Sequence, residues 1–384
     1  MELLPLTFTK PTAEIRFGIN TIKEKWESIL GLKCSYLTKP HLQVKYKAHF
    51  KKENTLINGS VIPDKDLLAE INNLGINEAL VKDEFIVAVN TADTGLTEIN
   101  AETCKKYRQI RSVSSFLKIN HLWELFKHNG EVIVKDFESI TKGRRSVNIS
   151  KNNNLLNPDN IFVEEGAMVQ FATINASAGP VYIGKGAEVM EGVVIRGPFA
   201  LCEQSTLKIG AKIYGPTTVG PFSKVGGEIN NSIIMGYTNK AHDGFLGNSI
   251  LGEWCNIGAD TNCSNLKNNY ASVKLWSYIS GKFEDTGQQF CGLIMGDHSK
   301  CGINTMFNTG TVVGVSANIF GQGFLRTFIP SFSWGGAGGF TTFLLPKALE
   351  VARRVMARRN IELSDEDIQI IGEVFKMTSK YRRF

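Results

Sequence analysis

The chain has 384 residues, enough for two or three compact units at about 100 to 200 residues each. Apolar residues make up 42% and charged residues 21%, which excludes the disordered and fibrous classes. The net charge of +6 comes from 43 Lys and Arg against 37 Asp and Glu with no basic arm, a balance that suits small phosphorylated ligands better than a nucleic-acid tract.

Residues 1–150 hold seven of the 37 glycines, so a boundary is expected near 150. The first unit mixes helical patches at 13–30 and 66–74 with strand-like runs at 55–62 and 84–90, an α/β pattern whose sheet order is not legible. A polar connector follows at about 142–160, where Lys-Gly-Arg-Arg precedes Lys-Asn-Asn-Asn and Asn-Pro-Asp-Asn.

The second unit, 151–345, carries an internal repeat of period six. Ile183, Val189, Ile195, Leu201, Leu207, Ile213, Val219 and Val225 succeed one another at six-residue steps, with Val163 and Val169 as an earlier pair. The register resumes at Phe245, Leu251, Ile257 and Cys263, and again at Met295, Cys301, Phe307, Val313, Ile319 and Leu325. In a helix of 3.6 residues per turn such steps point to different sides, and a flat strand needs period two. A parallel β-helix satisfies the spacing: each hexad is a short strand and a turn, one inward aliphatic fills the prism, and residues 18 apart stack at about 4.8 Å. The interruptions at 226–244 and 264–292 are expected to bulge outward as loops. The last unit, 346–384, reads as two amphipathic helices capping the solenoid, the second beginning near Ser364 with Asp365 and Glu366 in its first turn.

Seven cysteines, Cys34, Cys104, Cys202, Cys255, Cys263, Cys291 and Cys301, form an odd set with no C-x-x-C pair and no zinc spacing, which fits a reducing cytoplasm. No run approaches the roughly 18 apolar residues of a membrane span, and the start lacks signal-peptide features, so a cytoplasmic protein without membrane insertion is expected. Of six histidines, His242 lies inside a broken stretch of the repeat, where an imidazole can take a proton from an amine at neutral pH. His298 is a rival within an unbroken stretch.

Leu4-Pro-Leu-Thr-Phe-Thr-Lys-Pro-Thr-Ala-Glu-Ile-Arg16, Gly18-Ile-Asn-Thr-Ile-Lys-Glu-Lys-Trp26, Gly226-Gly-Glu-Ile-Asn-Asn231 and Gly252-Glu-Trp-Cys-Asn-Ile-Gly258 resemble a divergent bacterial branch of sugar nucleotidyltransferases, and 225–265 resembles the acetyltransferase half of the bifunctional N-acetylglucosamine-1-phosphate uridyltransferase/glucosamine-1-phosphate acetyltransferase family. The resemblance implies a nucleotidyltransferase-like α/β domain, a left-handed parallel β-helix with terminal helices, and a homotrimer. It implies acetyl-CoA as acyl donor to an amino sugar phosphate, and Mg²⁺ with a nucleoside triphosphate and a sugar phosphate in the first domain. His242 falls on the family's catalytic base, Glu228 on the acid that orients it, Asn256 on a sugar contact and Asn265 on an Asn near the acetyl group. Two positions depart from the family: Asn230 replaces a phosphate-contacting Lys and Phe245 a Tyr, leaving Lys212 and Lys240 to supply positive charge. In the first domain Arg16, Lys23 and Lys25 are candidates for nucleotide phosphates, and Asn58 and Ser60 stand where a metal-holding Gly-Asp is expected. The rival readings are an acyltransferase with an inert, ligand-sensing first domain and a non-catalytic trimeric scaffold that binds sugar nucleotides.

Overall fold

The computed structural model describes residues 3–384. The first unit opens with 3₁₀ turns at Leu6–Phe8 and Thr12–Glu14 and then helix α1, Ile22–Leu30. Thr21 and Glu24 form a reciprocal capping box that starts α1, and Gly31 ends it in the left-handed conformation. Four strands follow, β1 (Asn54–Ile57), β2 (Glu78–Lys82), β3 (Phe85–Thr91) and β4 (Arg108–Arg111), in sheet order β1-β3-β2-β4. The β1–β3 and β2–β3 pairs are antiparallel and the β2–β4 pair is parallel. Helices α2 (Lys65–Asn72), α3 (Ala101–Cys104) and α4 (Leu122–Thr141) complete the unit. The expected 13–30 helix is therefore a 3₁₀ turn, an extended stretch and α1. The expected strands at 55–62 and 84–90 shorten or shift to β1 and β3.

From Asn154 the chain winds into a parallel solenoid with three faces, seen as ten-, nine- and six-stranded sheets, the last continued by a two-stranded piece. Val189 pairs with Leu207, Ile195 with Ile213 and Leu201 with Val219, the 18-residue stacking that the hexads demand. Ile183, Val189, Ile195, Leu201, Leu207, Ile213, Val219 and Val225 are all buried in one continuous core. Each such side chain contributes about 1.5 to 3 kcal/mol by leaving water.

Residues 226–244 do not bulge outward. They form strands Glu228–Asn230, Ile233–Ile234 and Asn239–Lys240, continuing all three faces. The coil here is tighter: Ile213 pairs with Ile229 and Val219 with Ile234, separations of 16 and 15 residues. The inward set is Ile229, Ile234, Lys240 and Leu246, so Phe245, expected inside, faces outward while Leu246 takes the core. Fixed six-residue steps could not follow the shortened turns, and an inward lysine falls outside any aliphatic pattern. By contrast 264–292 does leave the coil, and Leu251 pairs with Met295 across it. The excursion carries an antiparallel hairpin, Lys274–Ser277 with Lys282–Asp285.

The units share one hydrophobic core. Side chains of α4 and the N-terminal segment pack with Ile233, Ile250, Ile294 and Val312, outward from the nine-stranded face, and with α5 (Leu345–Ala357) and α6 (Asp365–Met377), which fold back against it. Asn129 on α4 accepts from Gly18 N (2.9 Å) and donates to Thr218 Oγ1 (3.1 Å) and Pro216 O (3.2 Å). Buried Lys10 meets Glu253 (2.7 Å) and Asp297 (3.0 Å) of the solenoid. At the corner between the nine- and ten-stranded faces Phe222, Tyr237, Trp254 and His298 stack in succession, with ring centroids 5.0, 4.2 and 6.3 Å apart. No described helix is long and apolar enough to cross a membrane.

Candidate active site

His242 sits in the short turn between strands Asn239–Lys240 and Phe245–Gly247, the corner joining the ten-stranded to the six-stranded face. It is exposed, and its ring makes no hydrogen bond among the described residues. Gly227 permits the corner. Its φ is +76°, and a Cβ there would stand 2.9 Å from His242 O and 2.8 Å from Gly244 O, so only a bare backbone fits beneath the turn.

On the six-stranded face Lys212, Glu228 and Phe245 occupy successive register positions. Ile213, Ile229 and Leu246 next to them point inward, which sends this column outward by strand alternation. Glu228 accepts a hydrogen bond from Tyr214 Oη at 2.5 Å rather than one from His242. Desolvation and this bond push the Tyr214 phenol up to about 12, so it remains a donor at neutral pH. Tyr214, outward beside Ile213, is a residue that hexad reasoning passed over. Phe245 N donates to Asn262 Oδ1 (2.9 Å), tying this strand to the next coil.

The remaining candidates lie elsewhere around the prism. Asn256 is exposed on the ten-stranded face, paired in register with Asn239 and Lys300. From the end of α5, Arg359 reaches Asn239 Oδ1 at 3.3 Å. Asn265 donates to Asn248 Oδ1 (2.8 Å), part of a column of asparagines at another corner. In the orientation that satisfies its amide, Asn231 accepts from Asn248 Nδ2 (2.9 Å) and donates to Phe126 O (2.9 Å). Lys240 is 1% exposed, inside the prism. His298 is packed in the aromatic corner, where desolvation pushes its imidazole down to about 3.

In the first unit Lys25 forms a buried ion pair with Asp136 of α4, and Lys23 lies between Glu14 (3.8 Å) and Glu27 (3.6 Å). Arg16 donates to Ile19 O and reaches Cys202 Sγ at 3.8 Å. Asn58 Oδ1 accepts from Ser60 N (3.1 Å) and Ser60 Oγ (2.9 Å), while its amide donates to Ile86 O (3.1 Å). That turn thus offers a hard cation no carboxylate and no free amide oxygen, a poor fit to Mg²⁺. Among the described residues no three His, Cys, Asp or Glu converge as a metal site.

Residues 1–145 match the sugar nucleotidyl transferase family. A bifunctional sugar-1-phosphate nucleotidylyltransferase/acetyltransferase of Sulfurisphaera tokodaii is 26% identical over 281 residues, 70% of this chain and 67% of that protein. A protein of Methanococcus maripaludis named bifunctional protein GlmU is 27% identical over 269 residues, 70% of this chain and 60% of that protein. The crystal structure of the polysialic-acid-specific acetyltransferase NeuO aligns to 50% of this chain and 79% of its own, at 15% identity and a TM-score of 0.27. In sequence the chain is thus similar, at 26–27% identity over 70% of its length, to proteins named as a bifunctional sugar-1-phosphate nucleotidylyltransferase/acetyltransferase and as bifunctional protein GlmU, and its residues 1–145 to the sugar nucleotidyl transferase family.

Proposed function

We propose that the solenoid transfers an acetyl group from acetyl-CoA to the amine of an amino sugar phosphate, with His242 as general base, and that the first unit belongs to a nucleotidyl-transfer step on a sugar 1-phosphate. The observation that carries the acetyl step is the placement of His242: an exposed imidazole at a corner turn, beside an outward column holding Lys212 and Glu228. In the proposed step the amine nitrogen attacks the thioester carbonyl, His242 takes the amine proton, the C–N bond forms, and the C–S bond breaks. The imidazolium then returns its proton to the departing thiolate. Lys212 supplies charge for the sugar phosphate, and Asn256 and Phe245 shape the acceptor side. Glu228, held by Tyr214, acts on the column rather than directly on the imidazole. The Asn265–Asn248 bond supports a structural part for Asn265.

A homotrimer belongs to this reading, supported by Met168, Phe171, Val194 and Ile209, apolar side chains that stand 48 to 71% exposed on the early coils. Seven free cysteines, six of them buried, support a reducing cytoplasm.

For the first unit the ion pairs of Arg16 with Glu24 (3.6 Å), of Lys23 with Glu14 and Glu27 and of Lys25 with Asp136 support a structural part rather than phosphate contact. With the Asn58–Ser60 turn, they favour the second reading, an acyltransferase whose first unit is inert in catalysis. Thiol release from acetyl-CoA with glucosamine 1-phosphate tests the acetyl step, and pyrophosphate release from nucleoside triphosphates tests the other. His242→Ala is expected to lower thiol-release kcat by about 10² to 10⁴. Unchanged kcat removes His242 as the base.

A further inference from the structure

Lys240 occupies the register position below Val225, where the prism is otherwise lined by apolar side chains. A methionine or leucine there satisfies every packing demand of the coil, and burying an ammonium instead is unfavourable unless the group is fully bonded. It is bonded to three backbone carbonyls: Gly226 O (3.2 Å), Asp243 O (3.1 Å) and His242 O. Two of the three belong to the turn that carries His242. The same turn is fixed from its other sides by Glu228 N on Gly244 O (3.3 Å) and Asp260 N on Asp243 O (3.1 Å), with the Gly226-Gly227 backbone pressed against it.

We propose that Lys240 is a positioning residue for acetyl transfer, an internal cation that anchors the His242 turn from inside the solenoid and so sets the aim of the imidazole. The proposal rests on the reading of His242 as general base. It replaces the part first expected of Lys240, since a side chain 1% exposed cannot meet a sugar phosphate. A base must lie within hydrogen-bond reach of the proton it takes, and a displacement of about 1 Å lowers rates by roughly 10². The charged groups that act on the ammonium are Asp243 and Asp260, with the Cys301 thiol beside them, and desolvation brings Lys240 down to about 8. The anchor is therefore charged at neutral pH and weakens on the alkaline side.

The test uses the full chain with acetyl-CoA and glucosamine 1-phosphate, comparing wild type, Lys240→Met, Lys240→Gln and His242→Ala. Far-ultraviolet circular dichroism and native mass establish folding. The expected result is a folded Lys240→Met with kcat lower by about 10- to 100-fold and KM within about twofold. Lys240→Gln, which keeps an uncharged NH2 with two N–H donors, should fall between. Wild-type kcat should decline above about pH 8, and the decline should be absent from both lysine variants. A folded Lys240→Met with wild-type kcat overturns the anchor. If neither lysine variant folds, a wild-type kcat that stays flat to about pH 9.5 overturns it equally. Loss of activity in His242→Ala beside full activity in Lys240→Met removes the anchor alone. Full activity in His242→Ala removes the general-base reading and the anchor with it.

Discussion

Asp136→Ala tests how the N-terminal segment is held. Asp136 Oδ2 accepts hydrogen bonds from Ile19 N (2.7 Å), Asn20 N (3.2 Å) and the Lys25 ammonium. The two charged side chains are only 5% and 8% exposed. Truncation leaves the ammonium with Asn20 O (3.2 Å) and two backbone N–H groups without their acceptor. Breaking a buried pair from one side typically destabilises by about 3–5 kcal/mol. The charge part has a ceiling, because Lys25 can shed its proton: from an ordinary value near 10.4, neutralisation at pH 7 costs about 4.6 kcal/mol. Burial already outweighs Asp136 and holds Lys25 below its usual range in the intact protein. In the variant its folded value falls further while the unfolded one does not, so the unfolded state binds more protons and stability rises with pH. The deficit of about 4 kcal/mol at pH 7 should thus shrink, by up to about 1.4 kcal/mol per pH unit, over the range in which the folded wild type keeps the Lys25 proton and the folded variant does not. Urea unfolding followed by tryptophan fluorescence reads it, since Trp26 on α1 is buried and donates to Val61 O (2.8 Å). Lys25→Met in the Asp136→Ala background should recover most of the loss. A deficit below about 1 kcal/mol at pH 7 refutes the buried pair as a structural tie. If nucleotide affinity falls instead while stability holds, Lys25 is a phosphate contact after all.

Three further outcomes are expected. Ile195→Ala empties a position 1% exposed in the prism and should destabilise by about 2–5 kcal/mol in a urea melt followed by circular dichroism. Gly130→Ala opposes two effects: α4 gains about 1 kcal/mol of helix propensity, but the new Cβ would stand 2.8 Å from Pro216 Cγ. The clash should win, with a net loss of about 1–3 kcal/mol, and a raised melting temperature would contradict the close docking of α4. Finally, Lys240 moves from 10.5 to about 8 on folding, so between those pH values wild-type stability should gain on the order of 3 kcal/mol relative to Lys240→Met, whose curve lacks this slope. Parallel curves would place Lys240 in water.

The two departures from the hexad pattern lie where the local sequence no longer reflects the coil. Between Val225 and Leu246 the coil tightens to 15–17 residues, and a cation replaces an aliphatic, so neither spacing nor residue type flags a continuing prism. Helix α4 carries a weak local signal for a related reason. Asn129 and Gly130 sit in its middle, where both weaken a helix by propensity, yet Asn129 bonds Gly18, Pro216 and Thr218 and Gly130 leaves room for Pro216. The residues that blurred the local signal are those that dock the helix on the solenoid.

Hexad spacing by itself determined the solenoid, because one aliphatic per six residues allows a single periodic way of turning every such side chain inward. The stretch around His242, where that spacing lapses, proved to be a tightened coil rather than a break. Which cations meet solvent was decided only by tertiary structure. Lys25 and Lys240 read like other lysines along the chain, and an ammonium's setting depends on distant partners: the carboxylate of Asp136 for one, the Gly226 carbonyl of the preceding coil and the enclosing prism for the other.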